Sequence, residues 1–369
     1  MPKAPQDIIE PSLLRLAHPH RTTAAMGLDG FEEFYKLLPP RESQFLLEMF
    51  ASDMSLPQIQ GSLLTDPRGA RLRGMMDLAN ASPSATGTGG SAPVFAAMRQ
   101  LHSPAPYFLI EDDLLELLEH TDISDDVPVG QMHVPFSRIF IEFGRKRENL
   151  PFVPNLQTGM HTLESAYLEL ADDKVVGRHL SVLFIGSPVG HANIGDDATL
   201  NMALPMHDPD MPLKVANELS FNMMVSGSHE NGYAAPPTAW VDTTKELMRL
   251  LVKVLLYIGL PDVRREVHND RKDLLEQMAR LKSPGKRAKL QRRLSKTVDY
   301  VVIKAPTDSA IDTDAGGADG TRSVKAHWRR GHLRTQRHGP QLSLSKTVFI
   351  APVLVGKGDL RPAANYVVR

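Results

Sequence analysis

The alternation of apolar and polar positions divides the chain into a helical beginning, a strand-rich middle and a basic end. Apolar residues recurring three and four apart predict helices over 29–38, 41–50 and 66–80. Pro39, Pro40 and Pro57 are expected to separate them, because proline lacks the N–H that a helix interior needs. In the middle, a strand over 134–143 places Ile139, Ile141 and Phe143 on one face and Arg138, Phe140 and Glu142 on the other. Strands over 163–170 and 175–185 read as a hairpin turning at 171–174. Stretches rich in Gly, Pro, Asp and Asn at 186–197 and 207–212 read as loops.

The clearest helix spans 243–258. Thr243 and Glu246 have the spacing of a capping box, in which each side chain bonds the other residue's backbone N–H. Leu247, Leu250, Leu251, Val254, Leu255 and Ile258 keep the helical period, and Gly259 and Pro261 end it. Met248, Val252 and Leu256 make it apolar nearly all round, which predicts a central buried helix. A second helix is expected over 270–281, broken at Ser283-Pro-Gly285, and a strongly basic stretch follows over 286–296. A short strand at 300–303 leads to an Asp- and Gly-rich loop over 305–323, expected to be disordered. Strands around 324–334 and 346–355 close the chain as a hairpin, with Pro352 calling for an edge position or a bulge.

These elements predict an α/β protein of the α+β kind, with a helical N-terminal part, a central mixed sheet around a buried helix, and a basic C-terminal β-hairpin. The expected organisation is a helical region over 1–81, a linker over 82–92, a mixed core over 93–263 and a basic region over 264–369. Gly87-Thr-Gly-Gly90 has no Gly-Lys-Ser/Thr after it and reads as linker, not as a phosphate loop.

Charge changes the picture. Residues 1–263 hold 19 Lys+Arg against 33 Asp+Glu, while residues 264–346 hold 20 against 9, so a net charge of -1 hides an acidic body and a basic end. Such a split points to a polyanion as partner of the basic end, or to attraction between the two regions. The absence of cysteine excludes disulfides, thiolate-ligated metals and a cysteine nucleophile. The N-terminus lacks the basic-then-apolar order of a secretory signal. Arg249 and Lys253 interrupt the most apolar stretch, so no membrane contact is expected.

The candidate chemistry lies in His327-Trp-Arg-Arg-Gly-His-Leu-Arg334 and Thr335-Gln-Arg-His-Gly-Pro340, which place three histidines, four arginines and a tryptophan within 12 residues. Guanidinium groups bond phosphate oxygens in pairs and an indole stacks on an exposed base. One reading is therefore RNA binding through Trp328, Arg329, Arg330, Arg334, Arg337 and His338. Another is metal-independent phosphodiester cleavage, with His327 and His332 as general base and acid. A third leaves the arginines paired with the acidic body. Gly331 and Gly339 are structural in all three, Gly331 by allowing a bulge or a close backbone approach. No metal site and no cofactor are expected. His207-Asp-Pro-Asp210, and His191 with Asp196 and Asp197, offer hard oxygen ligands but read more simply as Asp-containing turns.

The segment Ala326-His-Trp-Arg-Arg-Gly-His-Leu-Arg334, then Gly339 and the closing Val348-Phe-Ile-Ala-Pro-Val-Leu-Val-Gly356, resembles a family carried by phages, prophages and plasmids. One branch of it is the anti-CRISPR protein of the type VA-two kind, directed against the type V-A effector nuclease. The order of an apolar helix, a basic stretch and the arginine motif is also similar. This resemblance implies a cytoplasmic protein of a bacterial host that recognises the nascent polypeptide of a defence protein and causes loss of its mRNA. Its partners would be RNA or the translating ribosome and that nascent chain.

Overall fold

The structure, a computed structural model, describes residues 16–28, 30–74, 91–124, 127–146, 149–155, 159–173, 177–187, 197–230, 239–294, 297–306 and 327–355. Of the expected linker at 82–92, residues 82–90 lie outside them and Ala92 already begins a helix, and of the expected disordered loop at 305–323, residues 307–323 lie outside them. The helices are α1 His18–Ala25, α2 Phe31–Lys36, α3 Pro40–Ala51, α4 Leu56–Thr65, α5 Ala92–His102, α6 Asp112–Glu119, α7 Leu213–Glu230, α8 Ala239–Ile258, α9 Asp270–Arg280 and α10 Pro284–Leu294. The strands are β1 Tyr107–Ile110, β2 Thr121–Ile123, β3 Arg138–Phe143, β4 Phe152–Asn155, β5 Gly159–Asp173, β6 Gly177–Ser187, β7 Ala198–Pro205, β8 Arg264–His268, β9 Tyr300–Lys304, β10 His327–Arg329, β11 Gly331–His338, β12 Leu344–Ile350 and β13 Val353–Val355.

The main sheet runs β7-β6-β5-β3-β1-β9-β8, with β4 also pairing β5. β1 is parallel to β3 and β9, and the remaining pairs are antiparallel, so the sheet is mixed as its sequence predicts. Because side chains alternate across a strand, β1 divides its Tyr-Phe-Leu-Ile between two cores. Phe108 and Ile110 join Ile139, Ile141, Phe143 and the α8 residues on one face. Tyr107 and Leu109 join Phe140 and the helices α2–α5 on the other. With both faces covered, all four β1 side chains are buried, the pattern of a central strand. β5 and β6 form the predicted hairpin, but the expected turn at 171–174 is corrected: residues 171–173 are strand, and the pairing runs from Thr162 opposite Ser187 to Asp173 opposite Gly177.

Two expectations need correction. Helix α8 begins at Ala239, so Thr243 and Glu246 lie inside it and do not cap it. The Thr244 hydroxyl donates to the Trp240 carbonyl at 2.8 Å, the back-bonding of a residue already within the helix. Burial of α8 itself is as predicted: Leu247, Leu251, Val252 and Leu255 have no exposed surface. Pro57, expected as a separator, instead occupies the first turn of α4, where no intrahelical N–H is required. The Ser55 N–H donates to Gln58 Oε1 at 2.8 Å and closes that N-terminus. Glu169 of β5 joins the helical layer to the sheet, accepting from the Leu56 N–H at 2.6 Å and from Arg99 at 2.7 Å.

Candidate nucleic-acid interface

The predicted C-terminal hairpin forms, but as two strand pairs with a break. β10 pairs antiparallel with β13, while β11 pairs antiparallel with β12 and parallel with β2. Arg330 stands at the break on one side, Ala351 and Pro352 on the other. Gly331 is where the two sides crowd together. A Cβ there would lie 2.5 Å from the Ile350 carbonyl oxygen and 2.7 Å from Pro352, so only glycine fits without moving backbone. Its N–H donates to the His120 carbonyl at 2.9 Å, which ties the motif to the end of α6. Gly339, at φ +78°, starts the tip of the hairpin in the left-handed region.

Alternation along β11 sorts the motif. Leu333 is fully buried, and the Thr335 hydroxyl donates to Gln131 Oε1 at 3.3 Å. Phe349, opposite Leu333, packs edge-on against Tyr257 with ring centroids 5.2 Å apart. The other face presents His332, Arg334 and Gln336 to solvent beside Val348 and Lys346 of β12. Arg329 and Arg337 are exposed too, and His338 is half-buried. Arg329, Arg334, Arg337 and Lys346 make no ion pair among the described residues. His332 sits level with Asp122 of β2, with no hydrogen-bond partner among the described residues to orient its ring. The backbones of His327 and Trp328 pair with Val355 and Leu354, while their side chains lie outside the description.

Arg330 behaves differently from its neighbours. It donates to both oxygens of Asp122 at 3.0 and 3.1 Å, and Arg249 of α8 donates to the same carboxylate at 3.1 Å. Partial burial pushes Asp122 up, but the Arg330 hydrogen bond and the charges of Arg330 and Arg249 hold it below the usual carboxylate range. One turn beyond Arg249 lies Lys253, 6% exposed, whose ammonium donates to the Leu118 carbonyl at the end of α6 at 2.7 Å. Burial, then the nearby Arg249, lowers its pKa to about 8. Arg249, Lys253 and Arg330 line a cleft of about 400 Å³ between α6, α8 and the segment leading into β4. Asp112, Asp113, Glu116, Glu119, Asp122 and Glu246 line it as well.

Sequence reasoning missed Asp122, Arg249 and Lys253 as partners of the motif. The signal was visible: Arg249 and Lys253 are four apart on a helix otherwise apolar all round, and so share one stripe. It also missed a buried network at the sheet's other core. Arg21 of α1 is 2% exposed and donates to Glu164 at 2.5 Å and to Asp197 at 3.0 Å. Burial opposes its charge, and the two carboxylates outweigh that and raise its pKa. His18 bonds the Tyr167 hydroxyl at 2.7 Å in the same cluster. Asp197, an expected loop residue, is therefore a buried counter-ion, while His191 and Asp196 lie outside the description. The Asp210 N–H donates to Asp208 Oδ1 at 3.0 Å, an Asx turn. Among the described residues no cluster of three or more His, Asp or Glu has the arrangement to hold a metal ion. None of the described helices is long and apolar enough to cross a membrane.

Searches among curated proteins and among solved structures gave no match. A family model, described as the AcrVA2-like, anti-CRISPR type V subtype A2 family, matches residues 108–357, which is 250 of the 369 residues. That span takes in the β1-to-β9 sheet, helix α8 and the whole arginine hairpin, and the chain belongs to the AcrVA2-like anti-CRISPR family.

Proposed function

We propose that this counter-defence protein lowers expression of a host defence protein by engaging its nascent chain and triggering loss of its mRNA. The RNA approaches the basic C-terminal hairpin. The observation that supports this reading is the set of exposed cations Arg329, Arg334, Arg337 and Lys346, none of them neutralised by a carboxylate among the described residues. A surface cation without a counter-ion retains its full attraction for phosphate, and guanidinium geometry suits two phosphate oxygens at once. Arg330 contributes by exchange, leaving Asp122 for a phosphate. The acidic body, with its surplus of Asp and Glu over residues 1–263, is left to the polypeptide side of the task.

Transcriptome sequencing of host cells expressing the wild type or an Arg329→Ala/Arg334→Ala/Arg337→Ala variant tests the reading. Depletion of a small set of transcripts by the wild type alone is expected, and names the target. Equal transcript levels in both, in a host that encodes the defence system, would discard the mechanism.

A further inference from the structure

We propose that the free edge of β12 is a docking site for an extended polypeptide segment. The segment adds as a further strand in the groove between the hairpin and the end of α8, with apolar residues facing inward and an acidic residue beside Lys346. This rests on the reading that the protein engages a polypeptide, and it gives that polypeptide a seat between the acidic body and the basic end.

Hydrogen-bond alternation along the hairpin carries the argument. The Gly331 N–H donates to the His120 carbonyl and the Leu333 carbonyl accepts from the Ser124 N–H, so the odd-numbered residues of β11 turn their backbone groups toward β2. The even-numbered ones therefore bond β12, pairing His332 with Ile350, Arg334 with Val348 and Gln336 with Lys346. Ser345, Thr347 and Phe349 are left with their N–H and C=O groups pointing away from the hairpin. β12 is the outermost strand of its sheet, and none of these groups has a backbone partner among the described residues. Such an edge is a template for a further strand.

The edge borders a groove of about 570 Å³, lined by every residue from Ser345 to Phe349. Successive strand residues point to opposite faces, so a groove that all five line lies against the edge and not against either face. Its far wall is the end of α8 and the segment after it, with Tyr257, Leu260, Pro261 and Val263. Edge N–H and C=O groups repeating every two residues, about 7 Å, match another extended backbone, and strand addition is the recognition mode that uses them. Side chains of an added strand that share the face of Thr347 and Phe349 meet the apolar wall. Those on the opposite face stand beside Lys346, which is exposed and has no carboxylate among the described residues, with Arg334 one strand further on. The groove's other charge, Asp262, lies on the far wall and opposes an acid on that side.

The test titrates the full chain, by calorimetry, with a blocked heptapeptide alternating glutamate and valine and with its lysine–valine counterpart. Two further forms of the glutamate peptide are N-methylated on alternate sets of backbone nitrogens. The glutamate peptide is expected to bind, and the lysine peptide to bind tenfold or more weakly. Methylation of one set is expected to abolish binding and of the other to leave it, as pairing along a single edge requires. Thr347→Pro, which removes an edge N–H and no hairpin bond, is expected to weaken binding tenfold or more, while Thr347→Val keeps it, with thermal unfolding checking both folds. No binding, or equal loss from both methylated forms, overturns the docking edge, while transcript depletion by the wild type would still uphold the proposed function. Peptide binding with unchanged transcripts upholds the edge and overturns that function. Dimerisation lost in Thr347→Pro, with no peptide bound, assigns the edge to a second copy and overturns the proposal. Peptide binding that emerges only when residues 307–323 are replaced by a Gly-Ser linker of equal length assigns the edge to the chain itself and overturns it too.

Discussion

Arginine serves opposite ends in two parts of this molecule. Arg21 is buried between α1 and the sheet, held by Glu164 and Asp197, with Ser187 donating to Glu164 at 2.7 Å. The hairpin arginines stand in solvent, and three of the four have no carboxylate among the described residues. A buried charge must be matched on every side, so its partners are chosen by the fold. An exposed charge carries no such requirement, so the fold tolerates it unmatched and it stays available to a ligand. Arg249 and Arg330 lie between these limits: both stand in solvent, yet both are matched by Asp122.

The sharpest way to break the comparison is Arg21→Met. It leaves Glu164 and Asp197 buried without their cation, a loss of about 3–5 kcal/mol. The midpoint of urea unfolding should fall accordingly, and an unchanged midpoint would mean that the network is solvated. Next in size is the pH dependence set by Lys253. Its folded pKa is near 8, against about 10.4 unfolded, so between those values the unfolded chain holds the extra proton. Stability should therefore rise with pH across that window, by up to roughly 3 kcal/mol, and Lys253→Met should remove the rise. The groups that set this balance are Glu119 on α6, Asp122 on β2, Arg249 on α8 and Arg330 at the hairpin break. Gly331→Ala comes third. Its methyl group would press on the Ile350 carbonyl and Pro352, costing about 1–3 kcal/mol and loosening the hairpin, as hydrogen exchange at β11 would report.

These positions also mark how far the sequence could be read. The alternation of Ile139, Ile141 and Phe143 and the apolar stripe of α8 are local patterns with a fixed period, and both appear in the core as read. The hairpin was legible because strand pattern, Gly331 and Pro352 all act within a few residues. The Arg21 network was not, because His18, Arg21, Glu164 and Asp197 meet only through folding, across separations of 143 to 179 residues. The cleft was half legible. Arg249 and Lys253 stood out as charges on an apolar helix, but only the parallel pairing of β2 with β11 brings Asp122 and Arg330 to them. Thr243 and Glu246 misled for the reverse reason: their spacing is that of a local capping pattern, but the helix begins at Ala239 and runs through it.

The smallest expected effect on stability is the most informative about function. Arg334→Ala/Arg337→Ala removes two exposed cations that contact no carboxylate among the described residues, so the unfolding midpoint should move by less than about 0.5 kcal/mol. On single-stranded RNA, each phosphate neutralised contributes about 0.7 to the slope of log K against log salt. Losing two contacts should therefore flatten the slope by about 1.4, with little dependence on sequence. A flattening near that value with unchanged stability separates ligand-binding arginines from fold-holding ones within a single variant. A stability loss comparable to that of Arg21→Met would show instead that the hairpin arginines are matched by the fold, and the distinction between the two sets would dissolve.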